Sequence, residues 1–468
     1  MKKSMVLLLT LFIAAATLLS ACGSSNGNNN GKNSAAPSNA SNDSASAEPS
    51  ESAVDTSPFE LTLRHTQVGA DKQKRLAILN DVVKKVEADV PGLTIKLDGV
   101  ESDVNRKEKL RGEMAAGNPP DIFDLFGSPD SQVYAKEGML LNLSPILEEL
   151  GLTDSFSSLE PFTYEDNVYG LPIGGSGEGF FYNKAYFEEK GLKVPATWAE
   201  LEDLLGKIKA DGKVPMAAAS KAGWVPLMLA NHLWARYAGP DVTQKFVSGE
   251  AKWSDPNVVK AFAKYQEWED KGYFKKGELG FEYAEYTTQF TSGEAVLMYD
   301  GTWKSSVFKE GQSGANMIGK VGFFNLPPVD GGVGDQTALM RDVNNGYGFS
   351  AAVEKDPRKL QAVKLFIKYM YNEEMQIRGL VEDGVLPSMK LSEDVLKESI
   401  TDDLMKEIVN VLNASQSSFP AFDSLVQGDV TTEISNIQIQ KLIGKQTTPE
   451  QMGKELQAVQ EEANAESE

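Results

Sequence analysis

From Phe59 to Phe126 the chain alternates strand and helix, and that alternation constrains the fold more than any other feature. "FELTLRHTQV" sets Leu61 and Leu63 against Thr62 and Arg64, the period of two of a strand. Leu76, Leu79, Val83 and Val86 then recur at helical spacing, and Pro91-Gly92 stops the helix. "LTIKLDGV" reads as a second strand. A helix is expected over roughly 105–116, and Gly117-Asn118-Pro119-Pro120 leads into a third strand, "DIFDLFG". This β-α-β-α-β order opens an α/β domain with a largely parallel sheet. In open sheets of this kind ligands lie beyond the carboxyl ends of the strands, here near His65 to Gln67 and Phe126 to Ser128.

After "NVYGLPIGG" the pattern restarts with strand "EGFFYN", a helix over 184–190 and the segment "PATWAELEDLLGKIKADG". Thr197 and Glu200 predict a capping box ahead of Leu201, Leu204, Leu205 and Ile208. No tandem repeat of fixed period occurs, which argues against a solenoid or propeller. About 410 residues follow Ser57, more than one core usually supports, so two α/β lobes are expected.

The N-terminus differs in kind. Lys2 and Lys3 precede an uncharged apolar run from Met5 to Leu19, suited to a signal-peptide core and short for a membrane span. Residues 23–57 contain no aromatic residue and are rich in Ser, Asn, Ala and Gly, a composition that cannot offset the entropy of ordering and reads as a flexible tether. Leu19-Ser20-Ala21 before Cys22 resembles the lipobox of bacterial lipoproteins, which implies cleavage after residue 21 and a lipid on the Cys22 sulfur. The alternative is an uncleaved anchor with a free thiol. Cys22 is the only cysteine, so no intramolecular disulfide can form and the fold relies on its core. The formal charge of −21 becomes −23 when Lys2 and Lys3 leave with the signal, which makes nucleic acid an unfavourable partner.

Several chemistries fail on their motifs. "GANMIGKV" at Gly314 approaches a phosphate-binding loop, but Val321 stands where a hydroxyl must ligate magnesium. "GGSGEG" at Gly174 lacks the dinucleotide register and precedes a strand, so it reads as a hinge or ligand-approach loop. With His65 and His232 far apart and one cysteine, no zinc constellation exists, and "VDGGVGD" lacks EF-hand spacing. No G-x-S-x-G occurs. No metal and no cofactor is expected.

What remains is an ordered set of loop and strand-end motifs: "GNPPDIF" at Gly117, "VYGLPIGGSGEGFFYNK" at Val168, "PATWAEL" at Pro195, "FTSGEAVLMYDGTW" at Phe290, "VGFFNLPP" at Val321 and "GYGFSAAVEKDPRKLQAVKLFIKYM" at Gly346. Together they resemble the extracellular solute-binding proteins of ABC importers, family 1, relatives of maltose-binding protein, from about Phe59 to the last helix. The resemblance implies a two-lobe, type II periplasmic-binding-protein-like α/β fold with the ligand in the cleft. Crossings are expected near Leu171, Leu326 and Val385, giving lobes of 59–170 plus 327–385 and 171–326 plus 386–468. It also implies a monomeric receptor, not an enzyme, that closes on a sugar or oligosaccharide and delivers it to ABC permease transmembrane subunits. Lipid anchoring of this kind suggests the outer face of a Gram-positive cell. A secreted glycoside hydrolase, drawing on the many carboxylates, and a sensory sugar-binding lipoprotein without transport are the rival readings.

Trp303 in "MYDGTW" corresponds to the tryptophan on which sugar-binding relatives stack a pyranose, and Asp300 could accept from hydroxyls; the alternatives are core packing and a helix cap. Trp224 in "AGWVP" aligns with another family aromatic near the ligand. Trp198 is expected to staple its helix start, and Trp234, Trp253 and Trp268 to pack. By the strand-end rule Gln67, His65, Phe126 and Ser128 face the cleft from the other lobe, His65 equally as a structural histidine. Asp121 fits the "NPPD" turn. Ser176 and Glu178 sit where the family places cleft polar groups. Arg341 would suit an acidic substituent or a surface salt bridge, and Tyr347 could stack or pack.

Overall fold

The structure, a computed structural model, describes residues 55–69 and 72–467; the apolar N-terminal run, Cys22 and the tether up to Val54 lie outside the described residues. From Asp55 onward the chain forms one compact unit. Three residues expected in the tether are held in that unit. Arg358 donates to the Asp55 carboxylate at 3.1 Å, to the Ser57 hydroxyl at 2.9 Å and to the Ser57 carbonyl at 2.5 Å, while its guanidinium lies 3.9 Å from the centre of the Phe59 ring. Asp55 and Ser57 are therefore held to the unit by one arginine.

Two sheets organise the unit. In the first, strands β1 (Phe59–His65), β2 (Leu93–Gly99) and β3 (Ile122–Phe126) run parallel, as the alternation requires. The hairpin β4 (Thr163–Tyr164) and β5 (Asn167–Val168) precedes β6 (Gly170–Pro172), which closes one edge and pairs with β12 (Asn345–Phe349), giving the order β2-β1-β3-β12-β6. Helix Gln73–Asp89 buries Ile78, Leu79, Val82, Val83 and Val86 on this sheet, where helix Pro357–Met370 adds Val363, Phe366 and Ile367 to the same core.

The second sheet is built around β7 (Ser176–Asn183), buried along nearly its whole length, with β9 (Ala295–Gly301) antiparallel on one edge. Along the other edge β10 (Val321–Phe324) and β11 (Leu339–Asp342) pair with successive halves of β7. Strands β8 (Val214–Met216) and β13 (Ser418–Phe419) complete the order β13-β11-β7-β9-β8. An aromatic core of Trp234, Trp253, Phe262 and Trp268 packs behind it. Trp198 stacks on Trp268 at 5.5 Å and 16°, and the capping box at Thr197 and Glu200 forms as its sequence dictates.

The chain crosses between the sheets at 173–175, close to the expected Leu171, and near Val385, where Leu386 bridges back to Gly175. The middle crossing departs from expectation. Both β10 and β11 hydrogen-bond to β7, so "NLPP" makes a loop within one sheet and Leu326 is buried in the second core. The chain changes sheet instead at Val343-Asn344, between β11 and β12. At the outer crossings glycine is required by contact: a Cβ on Gly174 would fall 2.1 Å from Val385 Cγ1 and 2.8 Å from the Leu386 carbonyl oxygen.

Candidate functional site

The carboxyl ends of β1 and β3 face the second sheet across a cavity of 1110 Å³ that both sheets line. One wall is aromatic. Trp224 opens helix Trp224–Ala238, Tyr283 opens helix Tyr283–Thr291, and Trp303 follows β9 in a tight 3-10 turn. Trp224 meets Tyr283 edge to face at 4.8 Å, and the Trp303 indole N–H donates to the Tyr283 hydroxyl at 2.9 Å. The Trp303 ring folds back over Gly301, where a Cβ would lie 2.0 Å from it, which explains the glycine in "DGTW".

Asp300 sits behind this wall, fully buried, and accepts from the Tyr283 hydroxyl at 2.8 Å and from the Gly301 N–H at 2.7 Å. Burial pushes its carboxyl up to about 6, against the pull of Lys304 and the Tyr283 hydroxyl. The Lys304 ammonium lies 3.8 Å from Asp300 and 3.6 Å from the centre of the Tyr283 ring, and donates to Thr287 Oγ1 at 2.9 Å. Asp300 thus orients Tyr283, which orients Trp303; it does not line the cavity.

The opposite wall is a polar network. The segment expected as one helix over 105–116 contains a π-turn at Asn105–Lys109 that is followed by helix Leu110–Ala115. Wider turns of this kind often mark functional positions. Here the turn carries Arg106, whose guanidinium donates to both oxygens of buried Asp124 at 2.8 and 3.0 Å and to Asn345 Oδ1 at 2.7 Å, and lies 4.9 Å from the centre of the Phe126 ring. Thr66 donates to the same carboxylate at 3.0 Å. Arginine and Phe126 together offer a flat face across from the tryptophans.

The floor is acidic. Ser176 and Glu178 point to one face of β7, and Asp342 pairs with Ser176 from β11, so the three share that face. Asp342 accepts from the N–H groups of Val343 and Ala421 at 2.7 and 3.0 Å and from the Ser424 hydroxyl at 2.5 Å. Asp423 lines the same region. Glu178 is 4% exposed and its Oε2 has no hydrogen-bond partner. Burial, then the charges of Asp300, Asp423 and Asp342, hold its carboxyl well above the usual range; burial and Asp342 push Asp423 up to about 6.

Of the residues singled out in the sequence, Trp303, Trp224, Gln67 and Phe126 line the cavity, as do Ser128, Ser176 and Glu178. Four others do not. His65 is buried, with Nδ1 accepting from the Gln67 N–H at 3.1 Å; burial depresses its pKa, so the neutral ring shapes the Gln67 turn from behind. Arg341 alternates outward on β11 between inward Met340 and Asp342. Tyr347 is 1% exposed and packs edge to face on Phe366 in the first core. Asp300 is the fourth, for the reason given above. Asp121 holds its turn, accepting from Thr62 at 2.8 Å and from Lys359 at 2.7 Å. Sequence reasoning missed Tyr283, Arg106, Asp124, Asp342 and Asp423. Tyr283 looks like an ordinary helix start, and the others acquire meaning only through partners distant in the chain.

The chain matches the bacterial extracellular solute-binding protein family over residues 69–377. It belongs to that family. The two-lobe fold is shared with solved members: a chitin oligosaccharide binding protein, 44% identical, superposes with a TM-score of 0.80 over 87% of this chain and 100% of the other. A maltose-bound MalE3 of T. maritima, 21% identical, superposes with a TM-score of 0.70 over 86% of this chain and 99% of the other. Among curated relatives, the multiple sugar-binding protein of Streptococcus mutans serotype c is 24% identical over 306 residues, 64% of this chain and 69% of the relative. In this solute-binding protein the cavity lies beyond the carboxyl ends of β1 and β3 and is lined from both sheets. Among the described residues no helix is long and apolar enough to cross a membrane.

Proposed function

We propose that this solute-binding protein captures a chitin-derived oligosaccharide and delivers it to an ABC permease, acting as a binding receptor without chemistry of its own. The observation that carries the reading is the 44% identity to a chitin oligosaccharide binding protein along that protein's whole length. The cavity supports it. A volume of 1110 Å³ slightly exceeds the roughly 300–1,000 Å³ typical of small-ligand sites and suits two or more sugar rings. The C–H faces of a pyranose pack on Trp303 and Trp224, while its hydroxyl edges need the polar partners supplied by Gln67, Ser128, Ser176 and the Arg106 network once water leaves. Because those groups come from both sheets, a ligand that touches both favours the closed arrangement.

Purified protein titrated with chitin, maltose-type and raffinose-type oligosaccharides tests the reading. Chitin oligosaccharides should bind one to one, and at a hundredfold excess over Kd should stabilise the fold by about 2.7 kcal/mol. A maltose-type ligand bound as tightly would overturn the chitin assignment. We further propose that the chain is monomeric and is anchored through a lipid on Cys22 to the outer face of a Gram-positive membrane, with the following tether as a leash. Cys22→Ala should then move the protein from the membrane fraction to the medium.

A further inference from the structure

The two lobes touch across the cavity at a residue that has no side chain. Gly428 opens the short helix Gly428–Thr432, in a segment anchored to the second core by Phe422, Val426 and Val430. Its backbone is helical, so nothing in its own conformation calls for glycine. A Cβ there would lie 2.9 Å from Asp130 Oδ1 and 3.0 Å from Arg111 Nη2, and the next atom met, at 3.4 Å, is Asp130 Oδ2. All of these belong to the first lobe. Arg111 stands on helix Leu110–Ala115 and Asp130 in the first turn of helix Pro129–Lys136, and their ion pair ties the two helices together. What excludes a side chain at 428 is therefore the opposite lobe.

The facing edges also attract. The first lobe brings Arg106, Lys107 and Arg111 on the π-turn and the helix after it, and the second brings Asp423 and Asp429 on either side of Gly428. Burial works against the Arg111 charge, but Asp130 and, from across the cavity, Asp429 outweigh it and raise its pKa. Burial and Asp342 push Asp423 up, and Arg106 and Lys107 pull it back. Each of these cations also has an acid of its own lobe, Asp124, Asp103 and Asp130, so the pull across the cavity is a bias and not a lock. We propose that Gly428 and the Arg111–Asp130 pair form a clasp between the lobes, which seats only when the cleft is shut and slows the escape of a bound saccharide. The inference goes beyond the capture reading, from which it takes only the choice of ligand. A contact made only in the shut arrangement stabilises that arrangement and acts on release more than on entry.

Disulfide trapping tests the clasp with or without a ligand. In full-length protein carrying Cys22→Ala, which leaves no other thiol, Gly428→Cys with Asp130→Cys should close a bond under mild oxidation, because the two side chains start within the reach a disulfide requires. The β-1,4-linked N-acetylglucosamine trimer should speed that bond by at least about tenfold, and the bond once formed should retain the trimer until reductant is added. Gly428→Leu alone should speed release of the trimer by at least about tenfold in stopped flow, and should remove the ligand-induced fall in radius of gyration measured by X-ray scattering. The inference is overturned if no bond forms under prolonged oxidation, or if Gly428→Leu releases the trimer at the wild-type rate and compacts fully. It falls equally if Gly428→Leu lowers the melting temperature but leaves compaction unchanged, since the glycine would then serve only its own lobe. Should Gly428→Leu not fold, the cysteine pair decides. If the trimer does not bind wild type, the capture reading falls, and bond formation in the unliganded protein still decides the clasp.

Discussion

The indole of Trp303 is hydrogen-bonded to the hydroxyl of Tyr283, which in turn donates to the buried carboxylate of Asp300. The ring that faces the cavity is thus held by a chain of two hydrogen bonds rooted in the second sheet. Side chains fixed in this way lose little freedom when a ligand arrives, which is where affinity is most easily lost.

Removing the indole should therefore cost more than its area suggests. Trp303→Ala is expected to weaken binding of the preferred oligosaccharide by about 2 kcal/mol, roughly thirtyfold. Tyr283→Phe keeps the ring but frees the indole, and should cost about 1 kcal/mol. Calorimetry on both variants checks the order; equal losses would show that packing alone positions Trp303.

Asp300 makes stability fall as pH rises. Its folded carboxyl titrates at about 6 and its ordinary value is 3.8, so between those values the folded chain keeps a proton that the unfolded chain has released. Stability from the neutral form is complete below 3.8 and declines up to about 6, by about 3 kcal/mol. Urea unfolding of wild type and Asp300→Asn across this window should show the wild type losing that advantage over the variant. A constant difference would overturn the assignment.

Arg106 leaves an exposed cost if removed. Arg106→Ala strands the carboxylate of Asp124, which is 2% exposed, and should destabilise the fold by about 3 kcal/mol. Arg106→Lys should recover only part, because an ammonium cannot reproduce the two-pronged contact. Thermal melts without ligand separate the three proteins.

Thr197→Ala tests a purely local element. The Thr197 side chain accepts from the Glu200 N–H at 3.3 Å, and Glu200 reaches back to the N–H groups of Ala196 and Thr197 at 2.7 and 3.2 Å. Losing half of this box should lower stability by about 1 kcal/mol without changing ligand affinity.

How far the sequence disclosed this protein follows from the range of the interactions involved. The parallel opening of the first sheet and the box at Thr197 depend on neighbours a few residues apart, so periodicity and spacing reveal them. The crossing at Val343-Asn344 depends on whether β11 pairs with β7 or with the first sheet, a contact across more than 150 residues, and Pro327-Pro328 signals a turn without saying which sheet lies beyond it. Strand alternation decided Arg341, which faces outward because Met340 and Asp342 face inward. His65 and Tyr347 lie on strands that reach the cleft, yet each turns into the protein, a matter of register that residue type does not announce. Trp303 and Trp224 were legible through resemblance. Asp124, Asp342 and Asp423 were not, since an acid becomes significant only when the distant groups folded around it are known.

Two of the passages between the sheets are joined to each other. Gly175 and Leu386 exchange backbone hydrogen bonds at 2.6 and 3.1 Å, and Val385 occupies the place a side chain on residue 174 would need. Bound together, these segments behave as a single pivot, free to turn but not to slide apart. Any side chain larger than hydrogen at 174 would press on Val385 and the Leu386 carbonyl and wedge the two passages apart.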